Sequence, residues 1–326
     1  LGPTTVKILL IKTEGTKPLS IHEKHLQRIR NLHKSLKVYS VSSLDKQQIT
    51  KHLVDADIIA GNQSNIPSLA NAKKLKWIQA FSAGINNILT LTPGLIKSNI
   101  LVSNVAGLQD TSIAEHVLGF MLIFTKRFYD TFKKQQQKIW QENQSITELK
   151  GKTVFIVGLG NIGTEIGRLA NCLGVKVIGI KQNIKSKPSF VPKIYTINNL
   201  EKLLPIADFV VLSLPLTQKT YHLFDMKKFK KMKKTAVIIN IGRGSVIHEK
   251  ELIKALKQKI IGGAALDVTE IEPLPTKSPL WEMDNVVITP HHSGPTEKFM
   301  DRAIDIFCVN LKAYLKNKPL PNLVDK

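Results

Sequence analysis

Thr153-Val154-Phe155-Ile156-Val157-Gly158-Leu159-Gly160-Asn161-Ile162-Gly163 is the stretch whose reading decides the fold. An apolar run with strand character enters a Gly-x-Gly-x-x-Gly turn, and apolar residues at Ile166 and Leu169 then continue with helical spacing. The next apolar run, residues 175–180, closes a βαβ unit of about 30 residues, which is the context a dinucleotide-binding turn requires. Each glycine has a separate physical task. Gly158 permits the tight turn, Gly160 lets a pyrophosphate approach the backbone, and Gly163 allows helix and strand to pack closely. The helix opening at Asn161 and Ile162 offers its first N–H groups to the phosphates. The plainer alternative, a glycine-rich turn with no ligand, does not account for the strand before it and the helix after it.

Working outward, residues 152–158, 176–180, 209–214, 236–241, 263–267 and 286–289 form one complete series of short apolar strands separated by helical or loop segments. A second series precedes it, with strands expected at 6–11, 37–41, 57–60, 76–80 and 101–102 and a helix over 22–34. Strands alternating with helices imply parallel sheets with crossover connections. From Thr111, with Thr111 or Asp110 as its cap, an amphipathic pattern through Glu115, Leu118, Leu122 and Phe128 predicts a single connecting helix to about Lys138. A last helix, 297–315, ends before Pro319 and Pro321.

The chain has 326 residues, 43% hydrophobic and 22% charged, which suits two globular domains and argues against disorder. Net charge is +22, from 47 Lys and Arg of which only six are Arg. Groove readers rely on Arg for bidentate base contacts, so the spread of lysines argues against a nucleic-acid partner. The densest positive tract is Lys227, Lys228, Lys230, Lys231, Lys233 and Lys234, and its field would draw anionic substrates or a phosphorylated cofactor. Residues 117–124 are too short an apolar run to span a bilayer, so no membrane association is expected. Cys172 and Cys308 stand alone, without metal or redox spacing, which points to a reducing cytoplasm and no metal site. Leu1, Gly2 and Pro3, without an initiator Met, read as a remnant of expression.

Three polar residues fall at the ends of the last strands, where a dinucleotide's reactive ring would lie: Arg243, Glu272 and His291. Reduction of a carbonyl beside a carboxylate needs this set. A cation orients the carboxylate and polarises the carbonyl, an acid protonates the oxygen, and a carboxylate keeps that acid charged near neutral pH. Gly242 and Gly244 give Arg243 backbone room to face a ligand. His292 directly follows His291 and is an alternative for sharing or taking the acid role. Glu115 and His116 on the long helix read as structural, and Trp140 and Trp281 as packing residues.

The segments Ser82-Ala83-Gly84-Ile85, Ile113-Ala114-Glu115-His116, the glycine turn, Asn240-Ile241-Gly242-Arg243-Gly244, Leu266-Asp267-Val268 with Glu272-Pro273, and Thr289-Pro290-His291 occur in one order across nearly the whole chain. In this the sequence resembles the D-isomer-specific 2-hydroxyacid dehydrogenases, which include glyoxylate and hydroxypyruvate reductases. The resemblance implies that Arg243 orients substrate, Glu272 supports the histidine and His291 is the general acid/base. It also implies that Asp267 contacts the nicotinamide carboxamide and that the amides of Ala83 and Gly84 hold the substrate carboxylate. It implies a Rossmann-type dinucleotide domain, residues 104–290, and a flavodoxin-like discontinuous substrate domain, residues 1–103 completed by 291–326, with the active site in the cleft between them. It further implies a homodimer through the cofactor domain, with no room for the extra C-terminal regulatory domain of some relatives.

Cofactor choice departs from the NAD pattern. NAD enzymes place an acidic residue at the end of the second strand to bind the ribose 2′-hydroxyl, yet no Asp or Glu occurs between Val175 and Asn199. Lys181 would attract a 2′-phosphate, Gln182 and Asn183 can donate to it, and Lys185 and Lys187 add positive field. NADPH is therefore expected over NADH. Pro215 and Thr217, ending another strand, are expected on the adenosine side. A dinucleotide-sensing corepressor on the same fold is the alternative function, although such relatives carry extended tails. The choice of 2-oxo acid depends on loops near 62–63 and 86–87, which the sequence does not place.

Overall fold

The computed structural model describes residues 5–15, 17–142, 145–182 and 187–324. Chain contacts divide it into two compact units, Leu1–Gln109 with Pro295–Lys326, and Asp110–Gly294. Both seams lie a few residues beyond the expected 103/104 and 290/291. The second shift has a local cause. The His291 N–H donates to the Asp267 carbonyl at 2.9 Å, and the Asp267 carboxylate accepts from the His292 and Ser293 N–H groups at 3.1 and 3.3 Å. His291 thus belongs to the same unit as Arg243 and Glu272.

The first unit contains β1 (Val6–Lys12), α1 (Glu23–Arg30), β2 (Leu36–Ser42), α2 (Lys46–Leu53), β3 (Ile58–Gly61), β4 (Trp77–Ala80), α3 (Asn86–Leu91) and β5 (Leu101–Ser103). Its sheet runs β2-β1-β3-β4-β5, all parallel, the flavodoxin-like order. Consecutive apolar residues in β1 point alternately to its two faces, so both faces are buried. Ile8 and Leu10 enter one core and Leu9 and Ile11 the other. The C-terminal helix, Phe299–Leu315, joins the first of these cores through Ala303, Ile304, Phe307 and Leu311 at helical spacing.

The second unit contains α4 (Asp110–Lys126), α5 (Phe128–Gln136), β6 (Thr153–Val157), α6 (Asn161–Cys172), β7 (Lys176–Ile180), β8 (Ile194–Tyr195), α7 (Leu200–Leu203), β9 (Phe209–Leu212), α8 (Met226–Phe229), β10 (Val237–Asn240), α9 (Glu249–Lys257), β11 (Gly263–Leu266) and β12 (Val286–Ile288). Its parallel sheet runs β12-β11-β10-β9-β6-β7-β8, the doubly wound dinucleotide-binding order, reversing direction between β6 and β9. Phe155 and Val157 of β6 face one core, and Val154 and Ile156 face the core shared with α4 and α6.

Two expectations need correction. The single helix to Lys138 is two helices, broken at Arg127, whose φ of +52° is left-handed. The Thr125 carbonyl accepts from the Thr147 N–H at 2.9 Å, and Lys126 Nζ donates to the Thr147 carbonyl at 3.2 Å. The incoming chain thus takes a group that the next helical turn would have used, and α5 beyond the break buries no residue. β8 was not expected, because two residues carry no readable period. Within the lysine tract, Lys228 pairs with Asp225, Lys231 with Glu201 and Lys233 with Asp208. Among the described residues, no helix is long and apolar enough to cross a membrane.

Candidate active site

The glycine turn lies at the carboxyl end of β6, beside the point where the strand order reverses. Gly158 has φ +111°, and a side chain there would place Cβ 2.4 Å from the Ser213 carbonyl oxygen. A Cβ on Gly163 would come within 2.0 Å of the Gly158 carbonyl oxygen, so only glycine lets α6 start this close to the strand. At Gly160 a Cβ would meet nothing within 4 Å. The space beside Gly160 is open at the start of α6, where the first N–H groups lack intrahelical acceptors. These residues fit a dinucleotide pyrophosphate.

Neighbouring residues are placed by the same turn. The Ile180 carbonyl accepts from the Gly158 and Leu159 N–H groups at 3.2 and 2.8 Å, which sets half-buried Lys181 and exposed Gln182 next to it. Asn183 and Lys185 lie outside the described residues. Pro215 and Thr217 are exposed after β9 in a turn closed by Thr220, whose hydroxyl donates to the Pro215 carbonyl at 2.7 Å. In the first unit, Ala83 and Gly84 lie in the loop between β4 and α3. There Asn104 Nδ2 donates to the Ala83 carbonyl at 2.7 Å and Ser82 Oγ to the Gly84 carbonyl at 2.8 Å.

His291 and Glu272 meet directly, with Nδ1 2.8 Å from Oε2. Glu272 Oε1 is held from the other side by the Thr269 N–H at 3.1 Å. The hydrogen bond to Glu272 raises the His291 pKa, against the opposing effect of burial. Burial pushes the Glu272 carboxyl up, but the His291 bond and the nearby positive charges bring it below the usual range. The pair is thus biased toward imidazolium and carboxylate. His292 takes no part in it. Its ring stands edge-on to His116 with centroids 5.6 Å apart.

Arg243 follows β10 and is half-buried. Burial lowers its pKa, opposed by the charge of Glu272, and a guanidinium remains cationic under such a shift. Among the described residues its guanidinium makes one hydrogen bond, from Nη1 to the Gly242 carbonyl at 2.7 Å. Most of its five N–H donors therefore remain for a ligand.

Asp267 does something the sequence did not show. Its side chain is 1% exposed. Oδ1 accepts from the Thr289 hydroxyl at 2.6 Å, Oδ2 from the Ser293 hydroxyl at 2.6 Å, and the two backbone N–H groups described above complete the set. Burial raises this carboxyl, but four donors at about 1.5–3 kcal/mol each outweigh it, and its pKa lies below the usual range. The structure therefore shows Asp267 as the hub that holds residues 289–293, with its carboxylate turned inward. His116, read as structural, belongs to the same network, with Nε2 3.1 Å from Thr289 Oγ1. The Thr289 hydroxyl proton is spent on Asp267, so His116 Nε2 is the donor. Burial keeps that imidazole's pKa low.

A cleft of about 540 Å³ is lined by His291, Glu272 and Asp267 together with Leu274, Trp281 and Ile288. Trp281 lines this cleft and is half-exposed, and Trp140, expected to pack, is 89% exposed. The arrangement joins a proton carrier, a carboxylate that supports it and a free cation at the carboxyl ends of adjacent strands. That is the equipment for adding a proton and anchoring an anion.

Residues 118–293 match the family model described as D-isomer specific 2-hydroxyacid dehydrogenase, NAD binding domain. The chain is 36% identical over 260 residues to a glyoxylate reductase of Thermofilum pendens, covering 78% of this chain and 76% of that relative. It is 31% identical over 320 residues to a D-3-phosphoglycerate dehydrogenase of Methanocaldococcus jannaschii, covering 97% of this chain and only 60% of the relative's length. Among solved structures it resembles an NADPH-dependent glyoxylate/hydroxypyruvate reductase from Sinorhizobium meliloti in complex with NADP and sulfate. The TM-score is 0.83 at 25% identity, covering 98% of both chains. All three relatives are oxidoreductases by name, and they lend the corepressor alternative no support.

Proposed function

Because the chain belongs to the D-isomer specific 2-hydroxyacid dehydrogenase family, we propose that it reduces a small 2-oxo acid of the glyoxylate or hydroxypyruvate kind to the 2-hydroxy acid, the D isomer where the product is chiral, with NADPH preferred over NADH. The family and its relatives make it a nicotinamide-dinucleotide oxidoreductase of small 2-hydroxy or 2-oxo acids. The substrate and the choice of dinucleotide are our reading. The observation that carries the chemistry is the 2.8 Å contact between His291 Nδ1 and Glu272 Oε2. It commits one ring nitrogen to the carboxylate and leaves Nε2 as the atom that gives up a proton.

When bound, the reduced dinucleotide supplies the hydride to the carbonyl carbon. Gly158, Gly160, Gly163 and the start of α6 at Asn161 and Ile162 hold its pyrophosphate, with Pro215 and Thr217 on the adenosine side. Arg243 orients the substrate carboxylate and polarises the carbonyl through its forked donors. As charge develops on the carbonyl oxygen, His291 Nε2 protonates it, giving the hydroxyl, and the imidazole regains a proton from solvent. Glu272 keeps the imidazolium populated until that moment. The Ala83 and Gly84 amides are assigned to the substrate carboxylate. Asp267 contributes by holding residues 289–293, and a carboxamide contact would need one of its oxygens to turn outward.

Lys181 supports the NADPH preference. It stands at the end of β7 beside the glycine turn, where an acid would favour NADH, and the Sinorhizobium meliloti relative was solved with NADP. The test is loss of dinucleotide absorbance with purified protein, NADPH or NADH, and a panel of 2-oxo acids alongside simple aldehydes that lack the carboxylate. Turnover of glyoxylate or hydroxypyruvate and none of the aldehydes is expected. Equal turnover of aldehydes would overturn the carboxylate anchor, and inactivity across the panel would overturn the substrate class.

A further inference from the structure

The loop after β10 carries Arg243 and the loop after β11 carries Glu272, and the two are joined at a point neither residue occupies. A Cβ on Gly244 would lie 1.9 Å from the Thr269 carbonyl oxygen and 2.5 Å from the Glu270 nitrogen, so the two backbones touch there. Beyond this contact two glutamates are joined reciprocally, the backbone N–H of each donating to the carboxylate of the other. The Glu270 N–H donates to Glu249 Oε2 at 2.9 Å and the Glu249 N–H to Glu270 Oε2 at 3.3 Å. Glu249 is the first residue of α9, so Glu270 satisfies an N–H that the helix leaves open, at the end where negative charge is favoured.

Burial, with the charge of Glu270, pushes the Glu249 carboxyl up, and Glu270 has a further partner on its other oxygen. His222 Nε2 lies 2.7 Å from Glu270 Oε1, and His222 is itself tied to the Arg243 loop by its N–H, which donates to the Ser245 carbonyl at 2.8 Å. Its ring is held between Tyr221 and His248, with centroids 4.0 and 4.5 Å away. Glu270 is therefore gripped from the β9–β10 connection and from α9. Its neighbour Thr269 provides the N–H that orients Glu272.

We propose that Glu270 is a positioning residue: with Glu249 and His222 it clasps the Arg243 loop to the Glu272 loop, and so sets the anchor against the acid–base pair. This rests on the roles assigned to Arg243, Glu272 and His291 above. Glu270 touches none of the reacting groups in this scheme. It acts through Thr269 on the angle at which Glu272 meets His291.

The test is a double-mutant cycle between Glu270→Ala and Glu272→Gln, with kcat, KM for the dinucleotide and the pH–rate profile measured for each. Glu270→Ala should lower kcat about 10- to 100-fold, the scale of a small misplacement of reacting groups, with dinucleotide KM within about 2-fold of wild type. Its basic pH limb should move to lower pH, as in Glu272→Gln. Glu270→Gln keeps an oxygen for the Glu249 N–H and should restore most of kcat. In the Glu272→Gln background Glu270→Ala should cost less than about 3-fold, because little is left to position. A full multiplicative loss in the double variant, or wild-type kcat in Glu270→Ala, overturns the clasp. A silent Glu272→Gln overturns the acid–base reading first and the clasp with it. If Glu270→Ala melts well below wild type, His222→Gln run through the same cycle decides the matter by the same criteria.

Discussion

The two sheets of this chain share one architecture and differ in what stands at the carboxyl ends of their strands. In the second unit those ends carry a glycine turn, Arg243, Asp267 and the Glu272–His291 pair, all charged or open to a ligand. In the first unit the loops after β3 and β4 are held by neutral groups. Ser64 donates to Asn62, the Asn87 N–H to Gln63, and Asn65 to Thr13. Its charged contacts lie elsewhere, as where Lys24 and buried His25 of α1 meet Asp301 on the C-terminal helix. At these loops the two sheets thus differ in charge, and the charged set of the second unit is the one to which the hydride chemistry is assigned. Function follows the side chains at the strand ends and not the fold.

The sharpest way to break that contrast is to remove the proton carrier. His291→Ala should lower kcat by roughly 10²–10⁴-fold with dinucleotide affinity nearly unchanged. Rapid kinetics on His291→Ala and His292→Ala side by side checks this, and a larger loss in the second variant would move the role. The pH profile sharpens it. Reduction consumes the protonated imidazole, and Glu272 raises its pKa, so activity persists to higher pH than a free histidine allows and is lost as pH rises through the raised value. Glu272→Gln should bring that loss to lower pH.

Arg243→Lys comes next. It keeps the charge and removes the fork, and a fall of about 100-fold in kcat/KM for the 2-oxo acid is expected. Wild-type rates would show that a positive field suffices. Lys181→Asp should change the NADPH-to-NADH ratio of kcat/KM by roughly 10-fold or more toward NADH, through repulsion of the 2′-phosphate. An unchanged ratio would remove Lys181 from cofactor choice.

The smallest effect lies in the first unit. Lys24 and His25 hold the Asp301 carboxyl down to about 2, against an ordinary 3.8. A depressed carboxyl contributes stability above its unfolded pKa and loses it as pH falls through the folded one. Asp301→Asn should therefore lower the Tm slightly at pH 7, lose that difference between about pH 4 and 2, and leave kcat untouched. A change in kcat would contradict the division between the two units' charges.

Much of this is legible in the sequence. The parallel strands announced themselves because burial on both faces demands continuous apolar runs, and the glycine turn because few other residues tolerate φ +111° at 158 or fit at 163. Arg243, Glu272 and His291 stood out as polar residues at strand ends. The break at Arg127 did not, since the Thr147 backbone that captures the turn arrives from a distant segment. The inward carboxylate of Asp267, the link from His116 to Thr289, and the grip of His222 and Glu249 on Glu270 were equally hidden.

The reason is common to all of these. A strand or glycine turn is dictated by forces acting within a few residues, namely φ/ψ sterics and the period of burial, and so it is written locally in the sequence. A hydrogen bond between residues 48 apart, such as His222 to Glu270, depends on which loops the sheet order brings together. The sequence by itself therefore determined every strand of the two sheets but β8, the dinucleotide turn and the identity of the polar residues at the strand ends. The tertiary structure alone decided which of those residues meet, which histidine takes the carboxylate, and which carboxylate is buried as scaffold.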